Sequence, residues 1–154
     1  TAYDDCVKYK LLAGSFASKI KSQIFIHIVE QYRNTLEKAL NSSKNFNPPE
    51  SLKELIALAK DHVSLGNITG EGWLLTAEMI SLIKNGINNI ICLQPFGCLP
   101  NHIVGKGMIR ELLHSYPQAN IVPIDCDAGA SEVNQLNRIK LMLAVAAERH
   151  SQCH

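Results

Sequence analysis

The chain has 154 residues, of which 46% are hydrophobic and 19% are charged, and its formal net charge is +1. This composition is that of a globular domain large enough to bury a core, and the basic residues form no stripe that would indicate a nucleic-acid partner. No apolar run approaches the roughly 18 to 20 residues that a membrane-spanning helix needs. We therefore expect neither nucleic acid nor membrane as a partner.

Cysteine usage bears on the compartment. The chain has five cysteines, an odd number in a chain with enough apolar residues for a core. This argues against a secreted disulfide scaffold and for a reducing compartment, so we expect a cytoplasmic protein. The chain begins with Thr1 rather than Met, and we expect it to be a piece of a longer protein.

Residues 1–65 read as a helical portion. Apolar side chains recur every fourth residue from Ile24 to Leu40, which predicts a helix. The stretch NSSKNFNPPE then breaks the pattern with small polar residues and a Pro-Pro pair, and predicts a loop. Ser51 and Glu54 have the spacing of a capping box, so we expect a second helix to start there and to end near Gly66.

Residues 66–154 have the pattern of an α/β portion. The predicted order is helix, strand, helix, strand, helix, over residues 72–86, 89–93, 101–115, 120–125 and 131–147. This order predicts parallel strands joined by right-handed crossovers, the first of them buried on both faces. The predicted fold class is α/β, a Rossmann-like three-layer unit with a short parallel sheet plus an additional helical N-terminal portion. The two portions together are expected to form one compact domain.

Chemistry in such a fold is expected beyond the carboxyl ends of the strands, where loops lead into helices. The two loops here are QPFGCLPNH at 94–102 and DCDAGAS at 125–131. If the strands are neighbours, these loops meet and gather thiols, carboxylates and an imidazole around one crevice. The members of that group are Cys92, Cys98, His102, Asp125, Cys126 and Asp127.

The residues alone leave the chemistry of this crevice open. Cys92 and Cys98 are six positions apart, and they are compatible with a metal or iron–sulfur site, with a disulfide, or with two packing residues. Their spacing is not one of the usual ferredoxin patterns. His102 fits either a ligand or proton donor or an ordinary start of a helix. Asp125 and Asp127 fit a metal- or ribose-binding pair as well as strand-end and helix-capping acids.

Three long segments carry a resemblance. The sequences GEGWLLTAEM, CLQPFGCLPNHIVGKGMIREL and YPQANIVPIDCDAGASEVNQLNRIKLML occur in that order within residues 68–145. They resemble the activase-related family of the 2-hydroxyacyl-CoA dehydratase system, large anaerobic proteins described as CoA-substrate-specific enzyme activases or activators of (R)-2-hydroxyglutaryl-CoA dehydratase. Residues 1–65 carry little of this resemblance.

The resemblance implies a function in low-potential electron transfer. In this system ATP hydrolysis drives an electron from one iron–sulfur protein to another, and Rossmann-like lobes hold a [4Fe-4S] cluster through cysteines. By this resemblance Cys92 and Cys98 are the candidate cluster ligands, while Asn101 and His102 help to shape the binding loop. The family more often has tyrosine at position 126, so Cys126 is not an expected ligand.

The same resemblance implies partners. ATPase-type and dehydratase-type domains of a parent protein would be the neighbours of this chain, and a homo-oligomer is a further expectation. Nothing in the sequence resembles the phosphate-binding motifs of the ATPase domains, so we expect no ATP site in this chain and no enzyme activity of the chain by itself.

Two other functions compete with this one. A non-catalytic Rossmann-like module could bind a nucleotide or CoA at the helix starts near Asn101 and Ser131. A structural interaction domain would instead use the helical first half to dock onto other parts of a parent protein, and would be favoured by exposed apolar side chains within residues 1–65.

Overall fold

Five α-helices and a two-stranded parallel sheet make up the part of the chain that the computed structural model describes, residues 16–43 and 48–152. The elements are α1 (Phe16–Ser42), α2 (Leu52–Ala59), α3 (Leu74–Lys84), β1 (Asn89–Pro95), α4 (Ile109–Ser115), β2 (Asn120–Cys126) and α5 (Glu132–Gln152). The chain divides into two compact units between Glu54 and Leu55. The α/β class is confirmed. None of the helices in the described ranges has the length and apolar character needed to cross a membrane.

The first unit contains α1, which confirms the helix predicted from the fourfold apolar spacing. At its C-terminal end the Arg33 guanidinium pairs with the Glu37 carboxylate at 2.7 Å and donates to the Pro49 carbonyl oxygen at 3.1 Å. These contacts tie the segment after the loop back to the helix. Many apolar side chains of α1 are exposed, with Phe25 68% and Tyr32 73% accessible.

The predicted capping box is present at the start of α2. The Glu54 amide donates to the Ser51 hydroxyl at 3.3 Å, and the Ser51 amide donates to the Glu54 carboxylate at 2.6 Å. The helix is shorter than predicted, because it ends at Ala59 and not near Gly66. The amides of His62 and Val63 both donate to the Ala59 carbonyl, each at 2.9 Å, which tightens the chain into turns before Gly66 is reached.

The second unit is built around the parallel pair β1 and β2, in which Asn89 is opposite Asn120 and Pro95 is opposite Cys126. The parallel direction is confirmed, with α4 in the connection between the strands. Both strands run further than predicted, by two residues in β1 and by one in β2. The carboxyl ends of the two strands therefore lie side by side, which brings the loops that follow them together.

Helix α5 runs antiparallel to β2 and alongside it. Gln135 donates to the Asp125 carbonyl at 2.7 Å, Arg138 donates to the Pro123 carbonyl at 3.1 Å, and Asn120 donates to the Met142 carbonyl at 3.0 Å. Near its C-terminal end, the Arg149 guanidinium donates to the carbonyl oxygens of Gln118 and Ala119. Side chains of α5 thus satisfy carbonyl groups of an edge strand, which protects that strand from pairing with other chains.

The core lies on one face of the sheet, beneath α3 and α4. Ile80 and Leu112 are fully buried there, and each such side chain contributes about 1.5–3 kcal/mol of hydrophobic free energy. In β1, Ile90 and Gln94 face this core, whereas Ile91 is 41% and Leu93 is 54% exposed. The prediction that the first strand is buried on both faces was therefore wrong, because within the described residues the other face of β1 is left uncovered.

Residues 101–115 do not form one regular helix, which corrects the prediction. The segment is a π-helical turn over Asn101–Gly105, a 3₁₀ turn over Lys106–Met108, and then α4. Gly105 and Gly107 weaken any regular helix here, because glycine is a poor helix former. The Val104 carbonyl is also bound from outside the segment, by the Thr76 hydroxyl at 2.6 Å. Tertiary packing therefore decides the local geometry.

Candidate functional site

The loop after β1 presents a thiol at the carboxyl end of the sheet. A tight turn forms where the Cys98 amide donates to the Pro95 carbonyl at 3.1 Å. Gly97 has a φ of 68° in this turn, a left-handed conformation that glycine adopts without strain. Cys98 is only partly buried, so its sulfur is held near the surface.

Asn101 fixes this loop from within. Its carboxamide nitrogen donates to the Leu93 carbonyl at 2.8 Å, and its oxygen accepts from the Cys98 thiol, with 2.9 Å between Sγ and Oδ1. The residue that precedes the helical turn is Pro100, so Asn101 is the first residue of the turn and not its N-cap. Its side chain is used to bridge the end of β1 to the thiol.

Cys92 has a different environment. It lies on β1 on the same face as Gln94, and its sulfur receives a hydrogen bond from the Gln94 carboxamide at 3.1 Å. The backbone of Gly105 approaches so closely that a Cβ placed there would lie 3.3 Å from the Cys92 sulfur. Burial raises the pKa of the Cys92 thiol, and the Gln94 hydrogen bond and the Lys106 charge only partly oppose this effect. The neutral thiol is therefore favoured.

Gln94 is a site residue that the sequence analysis missed. It is 1% exposed, and its carboxamide oxygen has no hydrogen-bond partner within the described part of the chain. Its nitrogen, besides contacting Cys92, donates to the Leu93 carbonyl at 3.2 Å. The sequence pattern placed Gln94 in the loop after the strand, whereas β1 continues to Pro95 and buries this polar side chain, so its sequence position did not indicate burial.

An ion pair links the two loops. The Lys106 ammonium lies 3.1 Å from one oxygen of the Asp125 carboxylate and 3.5 Å from the other. Lys106 follows the π-helical turn after β1, and Asp125 is the next-to-last residue of β2. The pair therefore joins the segments that were predicted to meet. Both side chains are about 40% exposed, and such a pair adds only about 0–1 kcal/mol to stability.

The side chains of the predicted site residues His102 and Cys126 do not take part in the contacts described above. The His102 side chain is exposed, and its amide donates to the Cys98 carbonyl at 3.3 Å. Cys126 is exposed, and its sulfur lies 3.7 Å from the Ile124 carbonyl. Cys92, Cys98 and Cys126 are all free thiols, while Cys6 and Cys153 lie outside the described residues.

A cluster or metal site can be tested against these donors. Within the described ranges, no group of three or more His, Cys, Asp or Glu side chains is arranged to hold a metal ion. A [4Fe-4S] cluster commonly takes about four thiolate ligands. Cys98, held near the surface, fits the role of one such ligand, whereas Cys92 is directed to Gln94 and Gly105. A complete set would need ligands beyond those described.

Five exposed apolar side chains lie on β1 and in the segment around Cys98, namely Ile91, Leu93, Phe96, Leu99 and Ile103. Phe96 is the most exposed of them, at 83%. Apolar residues around an accessible polar centre are typical of protein interaction sites.

A separate open pocket of about 630 Å³ lies at the carboxyl end of β2. Its walls are Asp125, the loop from Asp127 to Ser131, and the first three turns of α5. Both aspartates predicted as a binding pair line this pocket. The contribution from α5 was not predicted, because the amide side chains concerned also suit an ordinary exposed helix face.

Comparison of the chain with protein-family models, with curated proteins and with solved structures found no match. The resemblance of the three segments given above to the activase-related family therefore stays an expectation from the sequence.

Proposed function

We propose that this chain is a Rossmann-like, cytoplasmic domain of an activator- or dehydratase-related protein of the 2-hydroxyacyl-CoA dehydratase system, and that it takes part in iron–sulfur-dependent, low-potential electron transfer. Its part is to hold one side of a [4Fe-4S] cluster through Cys98. The observation that carries the proposal is the position of this thiol, partly exposed beyond the carboxyl end of β1 and anchored by Asn101. The three family-like segments supply the type of cofactor.

The chemistry supplied by a bound cluster is the transfer of single electrons. This chain's own residues do three things for it. Gly97 and the Pro95–Cys98 turn set the direction of the thiol. Asn101 ties the loop to β1, which limits its movement when a ligand bond forms. The exposed apolar residues around Cys98 offer a surface for the ATPase-type and dehydratase-type domains that would carry the remaining ligands.

Cys92 has a weaker claim as a second ligand. Cluster ligands are thiolates, and burial holds the pKa of Cys92 above its ordinary value. Its sulfur also lies against Gln94 and the Gly105 backbone, so it would have to leave those contacts to reach a cluster shared with Cys98.

The test is anaerobic reconstitution of the chain with ferrous iron and sulfide, followed by visible and EPR spectra. A cluster signal that is lost in Cys98→Ser and kept in the matched variant Cys126→Ser would support the proposal. Cys92→Ser should lower the yield less than Cys98→Ser does. A signal that survives in Cys98→Ser would overturn the assignment. So would the absence of a cluster both in this chain and in a longer protein that contains it.

A structural interaction domain is the second candidate, and one observation favours it. Apolar side chains of α1 are exposed in series, among them Ile24, Phe25, Tyr32 and Leu36. Pull-down of ATPase-type or dehydratase-type domains by this chain, and its loss in Phe25→Ser with Leu36→Ser, would support this role even if no cluster forms. The nucleotide or CoA module has less support, because Asn101 is committed to the β1 loop and a regular helix does not begin there.

A further inference from the structure

We propose that the pocket at the carboxyl end of β2 is a binding site for a neutral sugar ring, which it recognises through a vicinal diol. The site is separate from the Cys98 loop and does not depend on the electron-transfer proposal. Its volume of about 630 Å³ lies within the 300–1,000 Å³ typical of small-molecule sites. The pocket has a suitable size and lies at the carboxyl end of β2, and the polar side chains that line it indicate the class of ligand.

Three polar side chains of this pocket are held by contacts with neighbouring groups of the protein. Asp125 is paired with Lys106 at 3.1 Å, Gln135 donates to the Asp125 carbonyl at 2.7 Å, and Arg138 donates to the Pro123 carbonyl at 3.1 Å. Side chains fixed in this way lose little conformational freedom when a ligand binds, so more of the interaction free energy appears as affinity. Three pocket residues are therefore preorganised by the packing of α5 along β2.

The chemistry of the lining matches hydroxyl groups. It combines the carboxylates of Asp125 and Asp127, the carboxamides of Asn134, Gln135 and Asn137, and the Arg138 guanidinium. A sugar hydroxyl donates to one group and accepts from another at the same time, and adjacent hydroxyls suit planar carboxylate, amide and guanidinium groups that bind in pairs. Leu141, at the wall, supplies an apolar surface for the C–H groups of the ring.

Charge excludes a polyphosphate as the main recognition element. Two carboxylates and one guanidinium line the pocket, and Lys106, paired with Asp125, supplies the second positive charge. The site is therefore close to neutral, and its carboxylates would repel a phosphate chain. A nucleotide could enter only through its ribose. This distinguishes the proposal from a phosphate-binding module.

The test uses saturation-transfer difference NMR on the full chain with six compounds: D-ribose, methyl glucoside, adenosine, 2′,3′-dideoxyadenosine, and, for comparison, ATP and L-alanine. Transfer to the sugar protons of the first three, with none to the dideoxy compound, is the expected result. Transfer to ribose and glucoside alone would identify a free sugar or glycosyl group, and stronger transfer to adenosine would identify a nucleoside. Absence of transfer to every diol would overturn the proposal, as would tighter binding of ATP than of adenosine or equal binding of L-alanine.

Substitutions in the pocket test whether the saturation-transfer signal comes from a sugar bound there. Asp127→Ala and Asn134→Ala should each weaken binding, the first by about tenfold because a charged acceptor is lost. Neither side chain is buried, so the thermal midpoint should change little, and alanine suits the helix at position 134. Asp61→Asn, an exposed acid outside the pocket, is the matched control and should bind as the wild type does. Undiminished binding in both pocket variants would overturn the site.

Discussion

The Thr76 hydroxyl donates a hydrogen bond of 2.6 Å to the carbonyl oxygen of Val104, twenty-eight residues away. Thr76 is fully buried on α3, and Val104 is 3% exposed in the π-helical turn that follows the Cys98 loop. The bond therefore joins the core helix to the segment that carries Asn101 and Gly105. It pairs a hydroxyl and a carbonyl group that are both buried in the core.

Replacing Thr76 by valine should destabilise the protein while keeping the side-chain shape. The Val104 carbonyl would lose its side-chain partner in the core, which typically costs about 1–3 kcal/mol. Urea unfolding measures the change. The control is Thr35→Val, because the Thr35 hydroxyl also donates to a carbonyl, that of Gln31, but on an exposed helix surface. Equal decreases in the free energy of unfolding in the two variants would show that the buried hydrogen bond contributes no more to stability than the exposed one.

Alanine substitutions at two glycines with positive φ allow the cost of backbone strain to be measured apart from the cost of a steric clash. Gly72 and Gly86 have φ values of 55° and 83°. A Cβ at Gly86 would meet nothing within 4 Å, whereas a Cβ at Gly72 would lie 2.0 Å from the Asn67 carbonyl oxygen. That oxygen cannot easily move aside, because it accepts from the Trp73 amide at 2.8 Å. Thermal unfolding should show a loss of about 1–2 kcal/mol for Gly86→Ala.

Gly72→Ala should lower the free energy of unfolding considerably more than Gly86→Ala does, or it should fail to fold. The reason is that it adds a steric clash to the same backbone strain. Circular dichroism before heating distinguishes a folded from an unfolded variant. Similar midpoints for the two proteins would mean that the turn before α3 can rearrange, contrary to this expectation.

The features that the sequence predicted are those set by local patterns. The capping box of Ser51 and Glu54 depends on residues three apart, and it formed as expected. The parallel pair follows from two apolar runs separated by one helical segment.

The features that the sequence did not predict depend on distant partners. Gln94 was assigned to the loop after a strand predicted to end at residue 93, and its burial depends on the extension of β1 to Pro95 and on the close approach of Gly105. The ion pair between Lys106 and Asp125 spans nineteen residues. The break in the helix after Asn101 depends on Thr76, which lies on another element. Local sequence patterns do not predict these contacts, because each contact depends on how the whole unit packs.

Glu54 should titrate at a lower pH than an ordinary glutamate. Hydrogen bonding to the Ser51 side chain is the main cause of its lowered pKa, and the Ser51 amide adds to the effect. A carboxyl whose pKa is lowered by folding contributes stability above its unfolded pKa. That contribution is lost as the pH falls through the folded value. The start of α2 should therefore fray first on acidification, which NMR titration of the Glu54 carboxyl carbon measures.

Ser51→Ala should move the Glu54 pKa back towards its ordinary value, because the main cause of the shift is removed. Ser42→Ala, whose hydroxyl donates to the Ala39 carbonyl, is the matched control and should leave Glu54 unchanged. An unshifted Glu54 in Ser51→Ala would contradict the capping contact.

Cys92 should react slowly with iodoacetamide compared with Cys126. Alkylation requires the thiolate, and burial raises the pKa of Cys92, whereas Cys126 is exposed. Mass spectrometry of peptides from a time course at neutral pH gives the two rates separately. Faster labelling of Cys92 than of Cys126 would contradict the buried geometry of β1.

Gln94→Leu should slow the labelling of Cys92 further. The variant removes the carboxamide that donates to the sulfur at 3.1 Å, and this hydrogen bond opposes the rise in the Cys92 pKa. It also removes the buried carboxamide oxygen that has no partner in the described part of the chain, so stability should be kept or raised. Gln118→Leu, at an exposed position, is the control.

The pH dependence of stability gives an independent check on Cys92. Because folding raises its pKa, the folded protein holds the thiol proton more tightly than the unfolded chain does. The contribution of this group is therefore fully present below the unfolded thiol pKa, and it is lost as the pH rises towards and through the folded value. Urea unfolding gives the free energy of unfolding at neutral and at alkaline pH. The decrease between the two pH values should be smaller in Cys92→Ala than in the wild type. Cys126→Ala should behave as the wild type, and equal losses in all three proteins would show that burial does not control the Cys92 proton.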